Sequence, residues 1–170
     1  MEHLNLGRIV VTGHRPDGTA VVVEDGGRPA VPLAGPAVSA HFLWGRDGVP
    51  TFPDDGSATA GESPFPLPGG CRVSYLRLAP GANEAYHGFV AAALGDLADP
   101  TEPGFHRTPT LDVVFVVAGT VTLELDEGHR TDLRPGDVVI QNGTRHRWHN
   151  HGDAEAVIAS VVLGANTAAG

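Results

Sequence analysis

Two histidines and one carboxylate are placed to do chemistry. In the stretch His106 to Val116 the alternate residues His106, Thr108, Thr110, Asp112, Val114 and Val116 share one parity. A β-strand sends every second side chain to the same face, so the imidazole of His106 and the carboxyl of Asp112 are predicted to point the same way. Further on, HRWHN places His146, Trp148 and Asn150 on one parity of another strand. Two imidazoles and a carboxylate have three uses. As ligands they make a facial triad that leaves positions open for substrate or oxygen, suiting iron, manganese or nickel, or they bind zinc and activate a water. Without a metal, burial raises the pKa of Asp112 and brings a histidine near neutrality, so His106 or His146 serves as base and Asp112 as acid. The third use is structural: each histidine hydrogen-bonds Asp112, Thr108 or Gln141 and satisfies a polar interior.

Other residues join this group with weaker claims. Trp148 shares parity with His146 and either lines a pocket or packs in a core. Gln141 ends a strand and either orients a ligand carbonyl or closes a turn. Arg72 binds a substrate carboxylate if it faces inward and is otherwise solvated. His87 reads as a surface residue on a helix. Arg147 and His149 have the outward parity and are assigned no role.

The elements that must position these groups are short strands separated by turns. Residues 6–12 and 19–24 read as a hairpin around Pro16-Asp17-Gly18. Residues 38–45 form a further strand, with Ala40, Phe42 and Trp44 on one face. Residues 50–70 are rich in Pro, Gly, Ser, Asp and Thr and read as a long loop, a type that is often functional. Residues 71–78, CRVSYLRL, are a strand whose inner face the pattern leaves open. Residues 83–97 interrupt the β pattern with helical spacing of Tyr86, Phe89, Val90, Ala93, Leu94 and Leu97; Asn83 is the expected N-cap. Strands follow at 121–126, 138–141 and 146–150, with turns at Glu127-Gly128 and Pro135-Gly136-Asp137. Residues 156–163 are a near-continuous apolar run that reads as buried sheet.

The stretch from His106 to Asn150 resembles the two motifs of the cupin superfamily. In the first motif, His106 stands at the first histidine and Asp112 at the glutamate, seven residues before Gly119. Thr108 stands where the second histidine belongs. In the second motif, Pro135, Gly136, Asp137, Gly143, His146 and Asn150 match, with a turn one residue shorter and lacking its proline. The wording is similar to a subgroup of small single-domain cupins of actinobacteria and fungi that accompany secondary-metabolite or catabolic pathways. The resemblance implies an all-β fold, a double-stranded β-helix or jelly-roll barrel with one short inserted helix. It implies one domain over residues 1–170: N-terminal strands and long loop at 6–78, inserted helix at 83–97, barrel core at 105–163. It also implies a homodimer joined through the N-terminal strands, and a divalent metal (Fe, Mn, Ni or Zn) as the cofactor to test, with no organic cofactor.

Composition narrows the functional class. The 170 residues carry a formal charge of −9, which argues against nucleic acid as a partner. One cysteine, Cys71, rules out an internal disulfide and suits a cytoplasmic location. Residues 1–11 lack a basic n-region and a long apolar core, and no stretch is long and apolar enough to span a bilayer. The expectation is an enzyme acting on a small organic substrate of specialised metabolism, as an isomerase, cyclase, dehydratase or decarboxylase. The alternatives are an iron-dependent cupin dioxygenase and a non-catalytic small-molecule binding domain.

Overall fold

The computed structural model of the chain describes residues 6–61 and 63–167. Among the described residues there are eleven strands, one α-helix and two short 3-10 turns. Strands β1 (Arg8–His14) and β2 (Ala20–Gly27) form a separate antiparallel hairpin. Strands β3 (Val31–Ala34), β4 (Val38–Arg46), β5 (Cys71–Leu78), β6 (Thr110–Ala118), β9 (Val138–Asn142) and β11 (Ala156–Gly164) build a six-stranded sheet in the order β3-β4-β5-β11-β6-β9. Strands β7 (Val121–Glu124), β8 (Arg130–Leu133) and β10 (Arg147–His149) form a second sheet in the order β10-β7-β8. All ladders between these strands are antiparallel. Two sheets that bury their inner faces on one core make the expected all-β jelly roll.

The strand patterns explain the order. The run AVIASVVLG of β11 is paired on both edges, by β5 and β6, and its apolar side chains Ala156, Val157, Ile158 and Val162 are buried. β3 carries Pro32, which cannot donate to a ladder, and it lies at the sheet edge where a missing donor is tolerated. That proline hid β3 from the sequence pattern. The core joins Val38, Leu78, Val114, Val116 and Ile158 of the larger sheet to Val121, Leu123, Leu133 and Trp148 of the smaller one.

The helix α1 (Asn83–Ala93) buries Tyr86 and Val90, one turn apart, against this core. It ends four residues earlier than the periodicity predicts, and a 3-10 turn, Gly95–Leu97, follows, with Gly95 in a left-handed conformation at φ 52°. Asn83 is not the cap: Ala82 holds that position, and the Asn83 side chain instead accepts a 2.7 Å hydrogen bond from the Asn150 amide. The helix is thereby tied to the strand that carries His146 and Trp148. No helix among the described residues is long and apolar enough to cross a membrane.

Gly119 shows why the turn before β7 needs glycine. Its φ is +66°, and a Cβ there would lie 2.4 Å from the carbonyl oxygen of Glu155.

Candidate active site in the barrel

His106 and Asp112 do not share one continuous strand. Pro109 supplies no N–H, and β6 starts at Thr110. His106 forms its own two-way backbone bridge with His146, His106 N–H to His146 O at 3.0 Å and the reverse at 2.9 Å. That bridge sets the two imidazoles side by side and tilted, with centroids 4.4 Å apart and planes at 50°. Trp148 lies edge-on to His146 at 5.9 Å.

The pair lines a cavity of about 170 Å³ inside the barrel, together with Asp112, Gln141, Trp148, Ser74 and Ser160. Apolar walls come from both sheets and from α1, which contributes Tyr86, Phe89, Val90 and Leu94. The inserted helix therefore closes one side of the cavity. On β5 the residues facing inward are Ser74, Leu76 and Leu78, which resolves the face that the sequence left open.

The electrostatics of the pair follow from burial. His106 is 8 % exposed and His146 4 % exposed. The Nδ1 atom of each lies on a main-chain carbonyl, Gly104 O at 3.1 Å for His106 and Thr144 O at 2.9 Å for His146. A carbonyl can only accept, so each Nδ1 carries the proton. Loss of water penalises the charged forms: His106 is held below its ordinary value, and His146 is pushed down to about 3, first by burial and then by the neighbouring His106. Both rings are neutral at neutral pH, with Nε2 as a lone-pair acceptor. Burial pushes the Asp112 carboxyl up, a hydrogen bond from Thr110 pulls it partly back, and its buried Oδ1 has no hydrogen-bond partner. The carboxyl is biased towards its protonated form, as an acid requires.

Other expected site residues lie elsewhere. Thr108 is buried, hydrogen-bonds the Thr110 hydroxyl at 2.6 Å and lines a cleft at the end of the sheet with Arg107 and Asn142, not the barrel cavity. Arg72 is neither solvated nor available to a substrate. It is 8 % exposed, pairs with Asp47 at 2.6 Å, and donates to the carbonyls of Ser63, Arg46 and Cys71. Gln141 does line the cavity, but its amide nitrogen is committed to the carbonyl and hydroxyl of Thr144, leaving its oxygen for a ligand. Ala40, Phe42 and Trp44 do not share a face. A register shift between Phe42 and Trp44 keeps Ala40 and Phe42 on the cavity and turns Trp44 away. Among the described residues no group of three or more His, Cys, Asp or Glu side chains is arranged to hold a metal ion. His106, Asp112 and His146 therefore do not fit a ready-made three-ligand set.

Strand parity missed a second polar layer. The alternate side chains of β7, Thr122 and Glu124, are buried behind the barrel rather than solvated. Glu124 receives Arg147 at 2.8 Å and His149 at 2.6 Å, and Arg147 first among its partners pushes its carboxyl down to about 2. His87 packs edge-on against His149 at 5.0 Å, and its Nε2 lies 3.1 Å from the Trp148 carbonyl. So His87, Arg147 and His149 brace the back of the strand that presents His146 and Trp148. Gly104 makes room for His87: a Cβ there would lie 2.3 Å from the imidazole.

Arg145 clamps the two histidine segments together. It sits beside His146 and binds Asp99 at 3.0 Å and Glu102 at 2.5 Å, on the loop leading to His106, as well as Asp126 at 2.7 Å. Its guanidinium also lies 3.8 Å above the Phe105 ring. Glu102 and Asp126 are more than half exposed, so the pairs are modest in energy. Arg145→Met is expected to cost about 1 kcal/mol. It should also speed amide exchange at His106 and His146 more than at β11; equal rates there would remove the clamp.

This double-sheet barrel, with its paired histidines and the Pro135-Gly136-Asp137 turn behind them, has the cupin jelly-roll fold. Residues 96–162 match the family Cupin_2, described as Cupin domain. Over 144 residues the chain is 28% identical to the cupin-domain-containing oxidoreductase srdB of Neurospora crassa, covering 84% of this chain and 65% of that protein. It is 34% identical over 87 residues to the oryzines biosynthesis cluster protein J of Aspergillus oryzae, covering 51% of this chain and 38% of that protein. It is 32% identical over 89 residues to the cupin-domain-containing oxidoreductase fogC of Aspergillus ruber, covering 52% and 43%. The chain thus spans less than two thirds of the length of each of these relatives. A solved cupin 2 conserved barrel domain protein from Salinispora arenicola is also similar, with TM-score 0.43, 20% identity, and coverage of 75% of this chain and 76% of that one.

Proposed function

We propose that this chain is an enzyme of specialised metabolism that moves a proton on a small, uncharged organic molecule. The observation that carries this is the pair of desolvated imidazoles, each with Nδ1 fixed on a carbonyl and Nε2 left on the cavity side of that bond. Of the two, His106 is the base, because the large depression at His146 makes that ring a weak proton acceptor. His146 receives a hydrogen bond from the substrate and orients it. Asp112, biased towards its acid form, returns a proton to the substrate. Proton removal beside a carbonyl and its return elsewhere is the step of isomerisation and, where a hydroxyl leaves as water, of dehydration; decarboxylation, which starts from a carboxylate and loses CO₂ instead of a proton, is disfavoured. Among the described residues no lysine or arginine lines the barrel cavity, which disfavours an anionic substrate.

The test is deuterium exchange. Phenylacetaldehyde and acetophenone are incubated with the protein in D₂O, and loss of the signal beside the carbonyl is followed by proton NMR. Exchange above background is expected, falling about a hundredfold in His106→Gln. Binding without exchange would favour a non-catalytic small-molecule domain. The names of two relatives favour a second reading, redox chemistry in the same barrel. Elemental analysis of untagged protein tests it: near-stoichiometric iron that is lost in His106→Gln would support that reading over the first.

A further inference from the structure

The barrel cavity is too small to be the whole ligand site. Its volume is about 170 Å³, whereas ligand pockets commonly run from roughly 300 to 1,000 Å³. At roughly 30 Å³ for a water-sized group, it holds about six heavy atoms. A second cavity of about 430 Å³ lies against it, lined by Ala58, Ala60, Gly61, Ser63 and Pro64 of the long loop and by residues of β4 and α1. Phe42, Pro64, Phe89 and Leu94 line both cavities. They are a partition one side chain thick, not a wall of backbone.

The outer chamber has a consistent chemistry. Small residues, Gly45, Ala58, Ala60, Gly61 and Ala93, leave its space open, and Leu43, Trp44 and Val73 make it apolar. Among the described residues of its wall the two charged side chains are already paired, Arg72 with Asp47 and Arg28 with Glu24. Its loop side chains Ala58 and Ala60 are exposed, so the chamber opens to solvent at the loop. The inner chamber adds acceptors to its apolar walls, Nε2 of both histidines and the oxygen of Gln141, beside Trp148.

We infer that the two chambers form one bipartite site for an amphipathic, uncharged molecule: a hydroxyl-bearing head in the barrel and an apolar chain in the outer chamber. This rests on the barrel cavity being the ligand site, but not on any reaction there. The long loop and α1 then set specificity for chain length, and the barrel sets specificity for the head.

The experiment uses the full chain and primary alkanols from ethanol to decanol, titrated by fluorescence. The protein has two tryptophans, and one lies in each chamber, Trp148 inside and Trp44 outside. Affinity is expected to rise about fourfold per methylene and to keep rising past hexanol. Ala60→Phe on the loop and Ala93→Phe on the helix, each checked for folding by circular dichroism, should leave ethanol to pentanol unchanged and flatten the series beyond hexanol. A wild-type series that levels off at hexanol overturns the bipartite site. So does a decanol affinity that neither filled variant reduces. His106→Gln separates this from the proton-transfer proposal. Lost deuterium exchange in this variant, with every alkanol weakened by the same factor and the gain per methylene kept, supports both; absent exchange in the wild type with the gain per methylene intact removes only the reaction.

Discussion

Lowering the pH from 7 to 4 costs the folded protein roughly 3 kcal/mol through His146 alone. In the unfolded chain this histidine takes up a proton near 6.5; in the folded chain it resists until about 3. Across that span the unfolded state binds the extra proton, so stability is full above 6.5 and is lost as the pH falls. His106, also held below its ordinary value, adds to the loss with the same sign. Glu124 joins later: its carboxyl is held at about 2 by Arg147 and His149, so its contribution fades only below the ordinary carboxylate range. The formal charge of −9 works the other way, because acid relieves self-repulsion. Comparing urea midpoints of the wild type and His146→Gln at pH 7, 5.5 and 4 isolates the histidine. The wild type should show the steeper fall; parallel curves would mean that His146 is not a neutral, desolvated base.

Asn150→Ala should remove about 3 kcal/mol or more of stability. Asn150 is 1 % exposed, and every polar atom of its side chain is used. Its amide nitrogen donates to the carbonyls of Leu78 and Ala154, both at 2.9 Å, and its oxygen accepts from the Gly152 amide at 2.9 Å. Truncation removes three hydrogen bonds, each worth about 1 kcal/mol, and leaves the buried Leu78 carbonyl without this partner while the Ala154 and Gly152 groups are only partly buried. Asn150→Asp is expected to be no better, since a carboxylate cannot donate to the two carbonyls and sets a charge against them. Denaturant unfolding would report a lower midpoint at unchanged slope. A loss under 1 kcal/mol would show that water replaces the side chain.

The two predictions differ in how far they were legible in the chain. Asn150 stands out in the chain as a match to the second cupin motif, and its bonds to Leu78 and Ala154 show what the residue does there. The neutral state of His146 was not readable, because its depth depends on helix α1 and on strands distant in sequence. The same division runs through the site. Alternation and turn chemistry report local geometry, so β5, β11 and the turn at Pro135-Gly136 followed from residue types. The inward parity of Asp112, His146 and Trp148 followed as well. Parity failed where proline or a bulge interrupts a ladder: Pro109 detached His106 and Thr108 from β6, and the shift between Phe42 and Trp44 split a supposed common face. It also failed at His149, given the outward parity but buried by other segments, and it left Glu124 unread and the burial of Arg72 open.

From its own residues the chain determined an all-β barrel with histidines at its mouth, because period, turn residues and motif spacing are local properties. Only the tertiary structure decided that His106 bridges His146, that Thr108 and Arg72 leave the site, and that a second apolar chamber adjoins the first. Those outcomes depend on contacts across the chain, such as Arg145 with Asp99 and Arg72 with Asp47. No periodicity in a single segment encodes which distant partner will desolvate or neutralise a side chain.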